Sequence, residues 1–118
     1  MKRIIKFRGR TCGLWRKGDL LHTDTGDLLI RSNNVSVSVK SETVGQFTGM
    51  TDKNGREIYE GDILQEIGSG KTVLVVYEAP QFCYADNSFG YKFLNLPENY
   101  TVIGNIHDNP GLLKGGVK

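Results

Sequence analysis

Short apolar or alternating runs, separated by glycine-rich stretches, recur along the whole chain: IIKF, DLLHT, DLLIR, VSVSVK, EIYEGDILQEI, KTVLVVYEA, YKFLNL and TVIGNI. That rhythm predicts an all-β or mainly β protein built from antiparallel strands, as an open sheet or a barrel-like closure. In VSVSV the period is a strict two, which puts Val35, Val37 and Val39 on one face and Ser36 and Ser38 on the other. TVLVVY is continuously apolar, as a strand covered on both faces would be, and is placed in the core. A 3.6-residue apolar period nowhere persists for ten residues. Helix is therefore limited to a turn or two, near SETVGQF and LPENY. The tetrapeptides GDLL at 18–21 and GDIL at 61–64 form an internal echo, read as a repeated device in which glycine bends the chain and aspartate bonds the backbone before a strand. Two copies do not make a solenoid.

The chain has 118 residues, enough for one domain with one modest core, so residues 1–118 are expected to form a single domain. Hydrophobic content of 38% with 24% charge is that of a globular protein. The basic start MKRIIKFRGR is interrupted by Lys6 and Arg8 before any signal-peptide core develops, and no run approaches the roughly 18 apolar residues of a membrane span. Two cysteines, Cys12 and Cys83, are too few for a disulfide scaffold and suit a reducing compartment as two small buried thiols. A cytoplasmic protein without a membrane partner is expected. In that setting the NVS and NYT sequons at Asn34 and Asn99 carry no meaning.

Charge is unevenly distributed. Seven bases precede the first acid, Asp19, while residues 18–118 sum to −5 within a total of +2. In IIKFRGR, Lys6, Arg8 and Arg10 alternate with Ile5 and Phe7, so the three cations share one face of an extended strand. With Lys2 and Arg3 they are the candidate nucleic-acid contacts, a ladder able to track phosphates with nearby aromatic rings for bases. The preferred reading of the same ladder is a solvated edge strand whose charges block edge-to-edge pairing.

GSGKT at 68–72 resembles the end of a phosphate loop, but Gln65 stands where the first glycine should be and a strand follows instead of a helix, which leaves a hairpin loop. DKNG at 52–55 clusters oxygen ligands, yet Gly55 is fourth rather than sixth from Asp52, and Ile63 occupies the position of the bidentate glutamate of a calcium loop. Asn54 followed by Gly55, both tolerant of positive φ, reads instead as a hairpin turn. His22, His107, Cys12 and Cys83 show no closely spaced ligand pair, and the serines, histidines and aspartates have no nucleophile-elbow context. No catalytic residue, cofactor or metal is assigned.

SETVGQFTGMTDKNGREIYEGDIL at 41–64 and VIGNIHDNPGLL at 102–113, with IIKFRGR and the W-x-x-G-D-L at Trp15 to Leu20, closely resemble the YopX family, small proteins encoded mainly by phages, prophages and related mobile elements. Where the family has an Arg-Ala-Trp-Asp-like sequence after the first strand, this chain has RGRTCG. The resemblance implies a β-rich fold that self-associates into homo-oligomers, and a bacterial or phage cytoplasmic setting; it implies no activity. The motif positions it singles out are Gly45, Gln46, Gly49, Asp52, Asn54, Gly55, Tyr59, Gly61, Asp62, Gly104 and Asn105, read as structural. Their glycines are turn and bulge positions, Asp62 bonds the backbone ahead of a strand, and Tyr59 and Phe47 are core or rim packing. The expected role is a non-enzymatic accessory module whose protein or nucleic-acid partner the sequence does not name, with a small nucleic-acid-binding β-barrel as the alternative.

Overall fold

A computed structural model describes residues 5–78, 81–86, 90–93 and 99–112. They form eleven strands: β1 Phe7–Thr11, β2 Leu14–His22, β3 Leu28–Ser32, β4 Val35–Val39, β5 Gly45–Thr51, β6 Glu57–Tyr59, β7 Asp62–Glu66, β8 Thr72–Glu78, β9 Gln81–Asp86, β10 Gly90–Phe93 and β11 Tyr100–Asn105. A 3-10 turn at Ser41–Thr43 precedes β5, and a helical turn begins at Pro110. The chain is thus mainly β with antiparallel sheets, and among the described residues helix is limited to short turns. Among the described residues no helix is long and apolar enough to cross a membrane. Contacts divide the chain into two compact units, Met1–Gly49 and Met50–Lys118.

In the first unit the strands run β4-β3-β2-β1-β5. Two of their connections are two-residue turns with both central residues at positive φ: Cys12 and Gly13 between Thr11 and Leu14, and Asn33 and Asn34 between Ser32 and Val35. Those dihedrals match the right-handed twist of the flanking strands, which is why such turns close hairpins. The end of β4 then curls onto β1. Lys40 donates its backbone N–H to the Arg10 carbonyl at 3.0 Å, Arg10 donates its own to Thr43 Oγ1 at 2.9 Å, and that hydroxyl donates to the Lys40 carbonyl at 2.6 Å. This is a local clasp and not a ladder, so no closed barrel forms among the described residues. Beneath it Val39 lies against Gly9, where an added Cβ would sit 2.8 Å from Val39 Cγ2. Glycine is needed there for room, and Ile30 and Val39 supply buried apolar side chains.

The second unit carries the sheet β10-β9-β8-β7-β11 and the short strand β6. TVLVVY becomes β8, an interior strand, as its apolar run predicts. Ile58, Leu64, Val73, Val75, Tyr100 and Val102 form the core, with Met50 packed against it. The GSGKT segment is the β7–β8 hairpin loop, tied by Glu66 N–H to the Lys71 carbonyl at 2.8 Å and Gly70 N–H to the Glu66 carbonyl at 3.0 Å.

Several expectations need correction. β1 is no edge strand: it pairs with β2 on one side and, through Phe7 and Arg8, with β5 on the other. The two GD tetrapeptides do different things. Gly61 turns at φ +94 before β7, whereas Gly18 and Asp19 lie in the middle of β2, where a Cβ on Gly18 would meet the Arg31 carbonyl oxygen at 2.1 Å. GQFTGMT, whose glycines are expected at turns and bulges, is a seven-residue strand, and QFCYAD is an unanticipated one. EIYEGDILQEI splits at Glu60–Gly61 into β6 and β7. Cys12 is exposed in its turn, not buried, and Cys83 lies on β9. The helical turn expected near SETVGQF is present; LPENY falls mostly outside the described residues.

Gly9→Ala should destabilise the protein by about 1–3 kcal/mol through overpacking against Val39. Adding Val39→Ala should recover part of that loss in a double-mutant cycle, read by chemical denaturation. Strictly additive losses would show that the two positions do not touch.

Candidate functional site

The Asp52 side chain, 5% exposed, organises the 52–56 turn. Its Oδ1 accepts the backbone N–H groups of Asn54 at 2.8 Å and Arg56 at 2.9 Å, and its Oδ2 accepts that of Val102 at 2.8 Å, fifty residues away. Asp52 N–H to the Arg56 carbonyl at 2.8 Å and Gly55 N–H to the Asp52 carbonyl at 3.0 Å complete the turn, and Lys53 N–H reaches the Tyr100 carbonyl at 3.2 Å. Only Gly55 takes positive φ, +80°; Asn54 does not, so the expectation that both would is corrected. Burial raises the pKa of Asp52, but the N–H groups of Val102, Arg56 and Asn54 and the charge of Arg56 outweigh it and hold the carboxyl below the ordinary aspartate value.

Two other motif side chains repeat this device. Asp62, 2% exposed, accepts the Tyr59 N–H on Oδ2 at 2.7 Å, while Gly61 between them donates to the Val75 carbonyl and accepts from Ile106 N–H, both at 2.9 Å. The Tyr59 ring is buried, with its hydroxyl donating to Glu57 Oε1 at 3.1 Å. Asn105 Oδ1 accepts the N–H groups of His107 at 3.0 Å and Asp108 at 2.9 Å, and its Nδ2 donates to Asp108 Oδ2 at 3.1 Å. Gly104 follows the register shift after Val102 and faces Asn109, whose Oδ1 would be 2.5 Å from an added Cβ. Gly49 takes φ +87° within β5. Gly45 is no bend: it sits in the ladder opposite Arg8, and Gln46 is its half-buried neighbour opposite Phe7.

The basic strand belongs to the first unit. Its alternation holds, but its cations are not simply solvated. Arg8 is 7% exposed, with its guanidinium carbon 4.8 Å from the centre of the Trp15 ring. Lys6 is half-buried with Nζ 5.2 Å from the centre of the Phe47 ring, and Arg10 is half-buried opposite Trp15. Such contacts are cation–π attractions. Lys2 and Arg3 lie outside the described residues. Among the described residues no group of three His, Cys, Asp or Glu side chains converges as a metal site would require; His22 is exposed and His107 half-buried.

On the same unit, Arg16, Ile30, Ser32, Val35 and Val37 line a small cleft of about 20 Å³ beside β4. Sequence reasoning passed over it because Arg16 and the valines are distant along the chain, and only the β1–β2–β3–β4 meander brings them together. The signal that was available is Asn33–Asn34, two residues tolerant of positive φ between apolar runs.

These features define an all-β protein of antiparallel sheets whose turns in the second unit are held by buried aspartate and asparagine side chains. The chain belongs to the YopX family: residues 8–114 match the family described as YopX protein. It is similar to the crystal structure of protein EF1440 from Enterococcus faecalis, with a TM-score of 0.60 at 26% identity, covering 95% of this chain and 99% of that one. Among curated proteins none matches it.

Asp52→Asn should lower stability by about 1–3 kcal/mol at neutral pH, since an amide is a weaker acceptor for three N–H groups and forces an NH₂ among them. Because the folded carboxyl titrates below its unfolded value, its contribution is complete above the ordinary pKa of about 3.9 and fades as pH falls through the folded one. The gap between wild type and variant in denaturation midpoint should therefore narrow below about pH 4. A gap independent of pH would remove the charge from the account.

Nothing lies within 4 Å of a Cβ built on Gly55, so a substitution there tests backbone alone. Gly55→Val should lower stability by on the order of 1 kcal/mol or more, and Gly55→Asn, which tolerates this φ, by clearly less. Equal losses in melting measurements would sink the assignment.

Proposed function

We propose that the protein is a non-enzymatic interaction module, encoded by a phage or related mobile element and acting in the bacterial cytoplasm, that binds a protein partner through its first unit. One observation carries this reading. Of the five large apolar side chains most exposed among the described residues, Ile5 (57%), Leu14 (63%), Leu21 (36%) and Val35 (57%) lie on this unit, and only Ile67 lies on the other. The same unit holds nine Lys and Arg residues against four Asp and Glu. A unit of net basic composition that also exposes apolar side chains fits an acidic, apolar protein segment.

What supports protein over nucleic acid is the placement of the basic strand. A phosphate-tracking ladder needs cations free to reach outward and rings with open faces for bases. Here Arg8 is buried over Trp15 and Lys6 lies over Phe47, so the cations and rings proposed for those two tasks are engaged with each other. The motif residues Asp52, Asp62 and Asn105 serve the fold by holding turns, and no reaction is assigned to them.

Fluorescence polarisation at about 150 mM salt can test the reading with labelled ten-residue extended peptides of acidic–apolar, basic–apolar and uncharged polar composition, alongside random oligonucleotides. The acidic–apolar peptides should bind, the basic ones should not, and oligonucleotides should stay in the non-specific range of roughly 10⁻⁴ to 10⁻⁶ M. Submicromolar oligonucleotide affinity that falls steeply with salt, or no peptide binding at all, would overturn it.

A further inference from the structure

β4 is at the end of its sheet, paired only with β3. Its orientation follows from two bonds. The Asn33–Asn34 turn makes Ser32 and Val35 the closing pair of a two-residue hairpin, so Val35, Val37 and Val39 direct their backbone groups toward β3. Lys40 N–H points the other way, to the Arg10 carbonyl. By the period of two, the N–H and C=O groups of Ser36 and Ser38 point outward as well, and among the described residues they have no partner across that edge. The usual protections of an edge are missing from these positions: neither is charged, neither is proline, and both are exposed.

Next to this edge lies the cleft of Arg16, Ile30, Ser32, Val35 and Val37. Arg16 pairs with Gly9 and Ile30 with Val37 in the ladders, and all the lining side chains emerge on one side of the sheet. Leu14, two residues before Arg16 on β2, emerges on that side too and is 63% exposed. Arg16 is exposed and makes no ion pair among the described residues. Backbone groups awaiting a strand, a shallow cleft with room for about one water between valine side chains, and a solvated guanidinium at its rim are three complementary features within one neighbourhood.

We infer that β4 is a docking edge for an extended peptide segment of a partner protein, which adds as a strand against Ser36 and Ser38, lays a small aliphatic side chain over Val35 and Val37, and places a carboxylate against Arg16. The inference rests on the interaction-module reading and deepens it. Main-chain bonds supply affinity and the cleft supplies selectivity, as in other strand additions. The Lys40–Arg10 bond limits the pairing, since past Val39 the edge is already taken by β1. The segment needed is therefore short. Charge selects its composition, because the exposed Arg16 at the cleft attracts a carboxylate and repels a lysine placed there.

The probe is a labelled peptide alternating valine and threonine with aspartate at both ends, measured against the full chain. Arg16→Glu should weaken binding about tenfold or more, and replacing the aspartates by lysine should have a comparable effect. Ser38→Pro, which removes one outward N–H from an edge position where proline is tolerated, should abolish binding with little change in melting temperature. Should that variant misfold, peptides N-methylated at alternate amides carry the same test on the unaltered protein: methylation in one register should abolish binding and in the other should leave it intact. If the peptide binds wild type but tolerates Arg16→Glu and methylation in both registers, the site is elsewhere and this inference falls while the interaction-module reading stands. If no peptide binds the wild type, the reading itself fails. If light scattering shows a dimer that Ser38→Pro dissolves, the occupant of the edge is a second copy of this chain and the peptide assignment is overturned.

Discussion

One carboxylate ties a turn of the second unit to a distant strand. Asp52 is buried, and burial alone would make its charge unfavourable. Three backbone N–H groups converge on it, two from its own turn and one from β11, and together with Arg56 they reverse the balance. The consequence reaches beyond the turn. Val102, whose N–H the carboxylate holds, is a core residue paired with Leu64 on β7, so the same side chain that closes residues 52–56 also ties that turn to β11. A local turn residue thereby makes a directional long-range contact, which hydrophobic burial, being non-directional, does not supply.

Around it the unit solves one recurring problem: backbone groups outside the ladders must find partners when they are buried. Asp62 supplies an acceptor for Tyr59 at the β6–β7 turn, and Asn105 caps the chain after β11 for His107 and Asp108. The first unit meets the same requirement with a neutral group, the Thr43 hydroxyl, which accepts from Arg10 and donates to Lys40. Where positive φ is required, glycine and asparagine take it, with Cys12 in the β1–β2 turn the one other residue among those described. Where strands cross closely, as at Gly9 under Val39 and Gly18 beside Arg31, glycine is present because a Cβ would not fit.

The contrast between these two uses of glycine explains what the sequence could and could not disclose. The strict alternation of VSVSV and the apolar run of TVLVVY are properties of single strands, and both placed their strands correctly. Gly-Asp-Leu-Leu and Gly-Asp-Ile-Leu are nearly identical locally yet differ in conformation, one in mid-strand and one in a turn, because the crossing of Gly18 past Arg31 is decided by a strand thirteen residues later. Glycines in GQFTGMT disguised β5 for the same reason. The cationic face of Lys6, Arg8 and Arg10 was legible as a pattern, but its burial was not: a guanidinium loses its preference for water when an aromatic face such as Trp15 is available, and Trp15 reaches Arg8 only through the hairpin. DKNG read correctly as a turn. That its aspartate would also bind Val102 could not be seen, since nothing in a four-residue motif points fifty residues ahead.

The buried motif side chains Asp52, Asp62 and Asn105 are consequently committed to the fold. The oxygens of Asp52, Asp62 and Asn105 already accept backbone hydrogen bonds, and a phosphate or cation would have to displace part of the fold to reach them. Availability lies instead where the pattern looks ordinary, in Val-Ser-Val-Ser-Val. Proteins usually blunt a bare sheet edge with charge, proline or shortness. β4 uses only shortness: the Lys40–Arg10 bond closes one end and the Asn33–Asn34 turn the other, leaving two serines between them with outward backbone groups. An edge of that length is too brief to template open-ended stacking, which needs a run of six or seven residues. It is long enough for one short strand held by main-chain bonds and a carboxylate on Arg16, and that limit on length is what separates a selective docking edge from an aggregation hazard.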